Sequence, residues 1–236
     1  MNKDYLINIY KDTKEKAIKY PIGKSNDYII KHINEYPEKR IQNNIFIENK
    51  DMIEFIKKHK NEKCCILNMA SCYKPGGGVE TGCNAQEEVL FRRSNYVLTL
   101  DNNFYPIHDK IIYSELITFF KDSSYNICEQ FSCSAIACSA IKNPYLINNK
   151  YNENDKKNMD EKINKIFCVA IENNVEVLVL SAFGCGAYYN PPEEVAKIMY
   201  KYSNKYSGYF KKIYIAIIDN KYTDNYNIFK NIFKIL

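Results

Sequence analysis

Lys63-Cys64-Cys65-Ile66-Leu67-Asn68-Met69 is a continuous apolar run of strand length, the pattern of a strand covered on both faces. It is followed by a loop, Ala70 to Ala85, that holds one proline and four glycines, and then by a helical stretch from Gln86 to about Leu100. A second unit of the same kind lies downstream. Val175 to Leu180 reads as a buried strand, Ser181 to Pro191 as a glycine loop, and Pro191 to about Tyr202 as a helix. Buried strands that alternate with helices predict an α/β domain with a mainly parallel or mixed sheet. In such sheets ligands bind beyond the carboxyl ends of the strands, where these two loops would lie.

The flanking sequence extends the pattern. The first forty residues read as helical and exposed, with Tyr5, Leu6, Ile9, Tyr10 and Ile18 at helical spacing until Tyr20-Pro21-Ile22-Gly23 breaks it. Ile45-Phe46-Ile47 is a short strand, and Asp51 caps a helix through Lys60. Ile111-Ile112-Tyr113 and Ile117 to Phe120 read as two short strands, and Phe131 to Ile141 as a longer buried one. The stretch Tyr151 to Asn174 becomes helical, Ile213 to Ile218 is a strand, and Asp224 to Leu236 is amphipathic. Without an internal repeat or flexible linker, residues 43–236 are expected to form one structural unit, preceded by an N-terminal helical extension over 1–42.

Bulk properties exclude several classes. The chain has 236 residues, 46% apolar and 26% charged, as in an ordinary globular protein. The net charge of +5 comes mainly from lysines spread along the chain, which is compatible with a phosphate-bearing ligand but lacks the concentrated basic run of a nucleic-acid binder. The nine cysteines are odd in number; Cys64 and Cys65 are adjacent, and Cys128, Cys133 and Cys138 are five apart, so neither zinc spacing nor a closed disulfide framework fits. Free cysteines and no secretory signal lead to the expectation of a reducing, cytoplasmic location. No apolar run approaches the ~20 residues that span a bilayer. His32, His59 and His108 are too scattered for a metal site and read as surface or packing residues.

The chemistry concentrates in the two loops. Three consecutive glycines, Gly76-Gly77-Gly78, let the backbone approach a bulky ligand, and after seven residues come Gln86, Glu87 and Glu88 at a helix start. Adjacent helical residues project about 100° apart, so the two glutamates serve different purposes. One carboxyl against a glycosidic oxygen can act as general acid and then as general base on water. Two first-turn acids also simply complement the helix dipole. In the second loop, Gly184-Cys185-Gly186-Ala187 can turn successive N–H groups towards an anion. Asn190 reads as the N-cap of the next helix, Pro191 as its first residue, and Glu193 as completing a capping-box-like arrangement. Cys185 as a nucleophile has no adjacent base.

Asn68-Met69-Ala70-Ser71-Cys72-Tyr73-Lys74-Pro75-Gly76-Gly77-Gly78, followed by Gln86-Glu87-Glu88 and Phe91-Arg92-Arg93-Ser94, resembles the signature of microbial-type poly(ADP-ribose) glycohydrolases. Ala182 to Ala187 is similar to that family's diphosphate-binding loop, with Asn190-Pro191 after it. The resemblance runs from about Ile45 to Ile218 and implies a macrodomain-like α/β/α sandwich with a mixed sheet. It implies Glu88 as the catalytic acid/base and Glu87 as the neighbour that holds the scissile ribose. Asn68, Gly76, Gly77, Gly78, Gln86, Gly184, Cys185, Gly186, Ala187 and Tyr188 would be substrate-binding. Tyr188 stands where the family usually has phenylalanine, and Tyr189 where it usually has glycine. Tyr189 would either narrow the mouth of the pocket or lie outside it.

The activity implied is hydrolysis of ribose–ribose O-glycosidic bonds to release ADP-ribose, by a monomer without metal or cofactor. Its partner would be ADP-ribose or its polymer on modified protein or nucleic acid. The alternatives are a module that binds ADP-ribose without cleaving it, and a hydrolase of mono-ADP-ribosylated protein or nucleic acid.

Overall fold

The computed structural model describes residues 2–219 and 223–235. Along the chain run α1 (Lys3–Ala17), β1 (Ser25–Ile29), β2 (Ile45–Glu48), α2 (Met52–Lys58), β3 (Cys64–Met69), α3 (Gln86–Arg93) and α4 (Tyr96–Thr99). Then come β4 (Lys110–Lys121), β5 (Ile127–Cys138), the small hairpin β6 (Leu146–Ile147) and β7 (Lys150–Tyr151), and α5 (Glu153–Glu172). The chain ends with β8 (Val177–Leu180), α6 (Pro192–Tyr206), β9 (Lys212–Ala216) and α7 (Asn225–Ile235).

Seven strands form one mixed sheet in the order β1-β4-β5-β3-β8-β9-β2. Strands β5, β3, β8, β9 and β2 are parallel, whereas β4 runs antiparallel to both β5 and β1. The two faces explain why β3 and β8 read as unbroken apolar runs. Cys65, Leu67, Leu178 and Leu180 pack with Ile163, Phe167, Val195 and Met199 of α5 and α6. Cys64, Ile66, Val177 and Val179 pack on the other side with Ile53, Ile56, Leu90 and Phe91 of α2 and α3. A sheet covered on both faces has no polar side, so the period-2 alternation vanishes. The result is the α/β/α sandwich with a mixed sheet that the sequence predicts.

Several boundaries differ from expectation. The helical reading of the first forty residues holds for α1, but Ser25–Ile29 is an edge strand paired with β4, Ser25 opposite Ser114 and Ile29 opposite Lys110. The helix expected from Gln86 to Leu100 is broken between α3 and α4. There Ser94 Oγ donates to Leu90 O at 2.7 Å, Asn95 N–H donates to Thr118 O at 3.1 Å, and Asn95 Oδ1 accepts from Thr118 N–H at 2.7 Å. Short polar side chains that bond locally compete with the helical ladder. The two strands read at 111–113 and 117–120 are one strand, β4, whose register shifts between Ser114 and Ile117. A bulge moves side chains off the alternation and splits one strand into two apparent ones.

All nine cysteines are free. Among the described residues no helix is long and apolar enough to cross a membrane.

Candidate active site

Strands β3 and β8 are parallel neighbours, with Ile66 opposite Val179. Their carboxyl ends therefore deliver the two glycine loops to the same edge of the sheet. Between the loops lies a cleft of about 1010 Å3 lined by Ser71, Gly77, Gly78, Glu87, Glu88, Gly184, Gly186, Ala187 and Tyr188, among others.

In the first loop the glycines fold around the two carboxylates. Glu87 Oε1 accepts from Asn68 Nδ2 at 3.2 Å and from Gly76 N–H at 3.1 Å, and Oε2 accepts from Ser71 N–H at 2.7 Å. Glu88 Oε1 accepts from Gly78 N–H at 2.9 Å, and Oε2 from Ala85 N–H at 2.9 Å. Ala85 precedes α3 and offers no side-chain acceptor, so Glu88 supplies one half of a capping box by itself. Gly77 has φ +53°, and a Cβ on it would come within 2.8 Å of Glu88 Oε1 and 3.0 Å of Glu87 Oε2. A glycine is thus required there twice over, for conformation and for space.

The two glutamates have different surroundings, as the helical geometry requires. Glu87 is 3% exposed and Glu88 7%. Burial pushes the Glu87 carboxyl up from 4.5 to about 7, against three donors that favour its ionised form, and the neighbouring Glu88 charge adds to the rise. A raised value would point to Glu87 as the proton carrier, whereas the family resemblance points to Glu88. The two also differ in access. Of the four lone-pair sites on each carboxylate, Glu87 has three engaged by protein donors and Glu88 two. Glu88 therefore has more acceptor capacity left for a ligand.

Asn68 and Gly76, expected to touch substrate, do not line the cleft. Both donate to Glu87; Asn68 is fully buried, and its side-chain oxygen has no partner within ordinary hydrogen-bond geometry among the described residues. Gln86 borders the cleft, but its side chain is tied to β3, with Met69 N–H donating to Oε1 at 2.9 Å and Nε2 donating to Leu67 O at 2.9 Å. It fixes the start of α3 against the end of the strand.

The second loop is built differently. Gly184 has φ +75°, and its N-terminal neighbourhood is packed: a Cβ would meet Ala140 and Asn190 at 2.5 Å. Cys185 N–H, Tyr189 N–H and Asn190 N–H bond within the loop. The N–H groups of Gly186, Ala187 and Tyr188 have no acceptor among the described residues, and a Cβ at Gly186 would meet nothing within 4 Å. Three successive open amides beside a cleft are the kind of donor set that can receive an anion. Cys185 lies behind the loop, and burial raises its thiol well above the ordinary value, which leaves it neither nucleophile nor cleft residue.

Asn190 does not cap α6 as expected. Its Nδ2 donates to Ile141 O at 2.7 Å and Gly184 O at 3.0 Å, and its Oδ1 accepts from Tyr151 OH at 2.7 Å. The cap position falls to Pro191 and the first helical position to Pro192, with no side-chain cap bond. The asparagine is used up in holding the loop closed, and no local pattern announces that, because Ile141 and Tyr151 are distant in sequence. Tyr188 is half-buried and lines the cleft, whereas Tyr189, 72% exposed at φ +57°, lies outside the lining.

Histidines take packing roles where bonds are seen. His59 bonds Glu62 at 2.6 Å and Tyr214 at 3.1 Å, and His108 bonds Cys72 at 2.8 Å. Among the described residues no group of three histidines, cysteines or acids could hold a metal ion.

No curated protein matches this chain in sequence. Its fold is shared with poly(ADP-ribose) glycohydrolase from Thermomonospora curvata, 19% identical with a TM-score of 0.83 over 98% of this chain and 100% of that one. The same enzyme bound to the inhibitor ADP-HPD gives 19% and 0.84, over 97% and 99%. The enzyme from Deinococcus radiodurans in complex with ADP-ribose gives 19% and 0.76, over 95% and 96%. At such identities the likeness carries the fold. The family model for the microbial-type PARG catalytic domain matches residues 5–122, which include the whole segment from Gly76 to Glu88. Half of the sequence, and that half the one with both carboxylates, thus fits a single family: the chain belongs to the microbial-type poly(ADP-ribose) glycohydrolases.

Proposed function

We propose that this glycohydrolase releases terminal ADP-ribose units from poly(ADP-ribose), with Glu88 as the acid/base. The observation that carries the reading is the juxtaposition across one cleft of a buried carboxylate pair and three open backbone amides at Gly186, Ala187 and Tyr188. The amides accept the diphosphate, and the carboxylates meet the distal ribose. Lys74 and Lys142 on the lining add positive potential for a polyanion.

In this mechanism Glu88 donates its proton to the leaving 2′-oxygen of the preceding unit as the anomeric C–O bond breaks. Positive charge develops at the anomeric carbon, close to the diphosphate held by the second loop. Water then attacks that carbon and passes a proton to the Glu88 carboxylate, which restores the acid. Glu87, held from three sides, orients the ribose hydroxyls and does not itself move. Tyr188 packs on the distal ribose as a wall, which favours a chain end over an internal unit; its hydroxyl, which the family's usual phenylalanine lacks, bonds Ser71 and the Cys72 backbone of the first loop.

Incubation with poly(ADP-ribose) and chromatographic identification of early products tests this reading. Mononucleotide-sized ADP-ribose should accumulate from the start. Early release of oligomers would overturn the terminal-unit assignment, and no release beyond the rate without enzyme would overturn hydrolysis of the polymer.

A further inference from the structure

Arg92 is the largest of the fully buried side chains, one helical turn after Glu88. An (i, i+4) pair on a helix shares one face, but Arg92 makes no contact with the carboxylate. Its guanidinium instead gathers the backbone that holds Glu88. Nη2 donates to Val79 O at 3.4 Å and to Cys83 O, Nη1 donates to Asn84 Oδ1 at 3.3 Å, and Nε donates to Leu6 O of α1 at 3.2 Å. The segment bound in this way runs from Gly78 to Ala85. Its two ends are the residues whose N–H groups hold the two oxygens of Glu88.

The N-terminal helix completes the assembly from outside. Gly82, at φ +76°, brings the segment so close to α1 that a Cβ would lie 2.8 Å from Lys3 O. Thr13 Oγ1 donates to Arg92 O at 2.7 Å. A second anchor, which meets the first at Thr13, fastens α1 to the sheet: Lys121 Nζ, itself buried, donates to Thr13 Oγ1 at 2.7 Å and pairs with Asp12 at 2.7 Å. No residue of α1 lines the substrate cleft. The path from α1 through Arg92 to the 78–85 segment ends on the acid group.

We propose that Arg92 is a positioning residue for Glu88, and that α1 serves as the abutment against which it holds the 78–85 segment. The N-terminal helix thereby belongs to the catalytic apparatus without touching substrate. A buried guanidinium that loses its acceptors is costly, so the segment stays where the arginine puts it. Misplacement of a reacting group by about 1 Å costs on the order of 100-fold in rate, and the 78–85 segment sets the position of both Glu88 oxygens. The inference rests on Glu88 as the acid/base, and its test separates the two.

Arg92→Lys, Arg92→Met and the milder Asn84→Ala are compared with Lys121→Met, which loosens α1 from the sheet and leaves the Arg92 guanidinium intact. The readouts are kcat and KM on the polymer, ADP-ribose affinity, thermal midpoint, and hydrogen exchange at the Gly78 and Ala85 amides. Arg92→Met should lower kcat about 30-fold or more, with KM and ADP-ribose affinity within about threefold. Arg92→Lys should recover part of that loss, and Asn84→Ala should lose about threefold. The Gly78 and Ala85 amides should exchange at least about tenfold faster relative to β3 amides, a readout that does not depend on turnover. Lys121→Met, which loosens the abutment and leaves the guanidinium bonds of Arg92 to the 78–85 segment in place, should lower kcat about threefold and speed exchange at the same two amides. Combined with Glu88→Gln, the Arg92 changes should add no further loss, since both act on one group. The proposal is overturned if the Arg92 variants keep the two amides protected, if Lys121→Met leaves both kcat and those amides unchanged, or if the losses add. If the wild type shows no turnover, the assignment of Glu88 fails first; protected amides would then reject the positioning role separately.

Discussion

The two glycine loops occupy equivalent places, each after the carboxyl end of a central parallel strand, yet they are opposite in design. In the loop after β3 the N–H groups of Gly76 and Gly78 are spent on the protein's own carboxylates. In the loop after β8 the N–H groups of Gly186, Ala187 and Tyr188 are left open, and the asparagine that might have capped the next helix braces the loop from behind. One loop presents fixed negative groups with little room to move. The other presents empty donors. Glycine serves close packing against Glu87 and Glu88 in the first, and free access in the second. The same residue type at similar junctions therefore marks two designs, one that encloses carboxylates and one that leaves backbone donors open.

The largest expected effect that separates them is Glu88→Gln. It should reduce kcat about 1000-fold or more while ADP-ribose binds within about threefold of the wild type in calorimetry; turnover near the wild-type rate would remove Glu88 from the chemistry. Gly77→Ala attacks the first loop by sterics, since its Cβ would lie 2.8 Å from Glu88 Oε1 at φ +53°. We expect kcat to fall about 100-fold and stability to fall by about 2 kcal/mol. A variant with normal kcat and normal denaturant midpoint would show that the loop tolerates expansion.

Gly186→Val makes the opposite prediction for the second loop. Its side chain meets nothing in the free protein, so stability should stay within about 0.5 kcal/mol. ADP-ribose affinity should nevertheless drop about 10- to 100-fold, because the side chain stands where the diphosphate must approach. Unchanged affinity would move the anion elsewhere.

A pH experiment sharpens the contrast further. The folded chain holds Glu87 at about 7 against 4.5 in the unfolded chain. Between those values the unfolded chain has released a proton that the folded chain keeps, so this group's contribution to stability falls as pH rises through the window and levels off above it. The stability of the wild type minus that of Glu87→Gln should fall by about 1–3 kcal/mol from pH 4.5 to 7.5 in denaturant titrations. A flat difference would mean that the three donors balance burial, and a rising one that they outweigh it. The smallest effect is expected at Tyr189, an exposed tyrosine at φ +57°. Relief of left-handed strain is partly offset by the entropy of glycine, so Tyr189→Gly should stabilise by no more than about 1 kcal/mol and leave KM unchanged. An altered KM would place that ring in the pocket after all.

Much of this was legible along the chain. The apolar runs at 64–69 and 177–180 announced central strands because both faces of the sheet are covered, and the glycines announced loops because few other residues adopt their conformations. Adjacency of Glu87 and Glu88 on a helix required different roles, and the structure gives them different partners. What escaped was non-local. Nothing near Ser25–Ile29 reveals that β4 will accept it as an edge strand, and the bulge at Ser114 hid the continuity of β4 itself. Asn190 read as a helix cap, and Arg92 stood only as part of a motif, yet each is buried among backbone carbonyls brought from distant segments.

The sequence by itself determined the α/β class, the two strand–loop–helix junctions and the pair of carboxylates, because backbone conformation and side-chain periodicity are local properties. Only the tertiary structure decided that the junctions meet, since that depends on β3 and β8 being hydrogen-bonded neighbours. It also decided which groups are open to a ligand. Asn68 and Gly76 turned out to serve Glu87, and Gly186 to Tyr188 to keep their amides free. Whether a donor is spent or available is a matter of which acceptors folding brings within about 3 Å of it, and no stretch of sequence contains that distance.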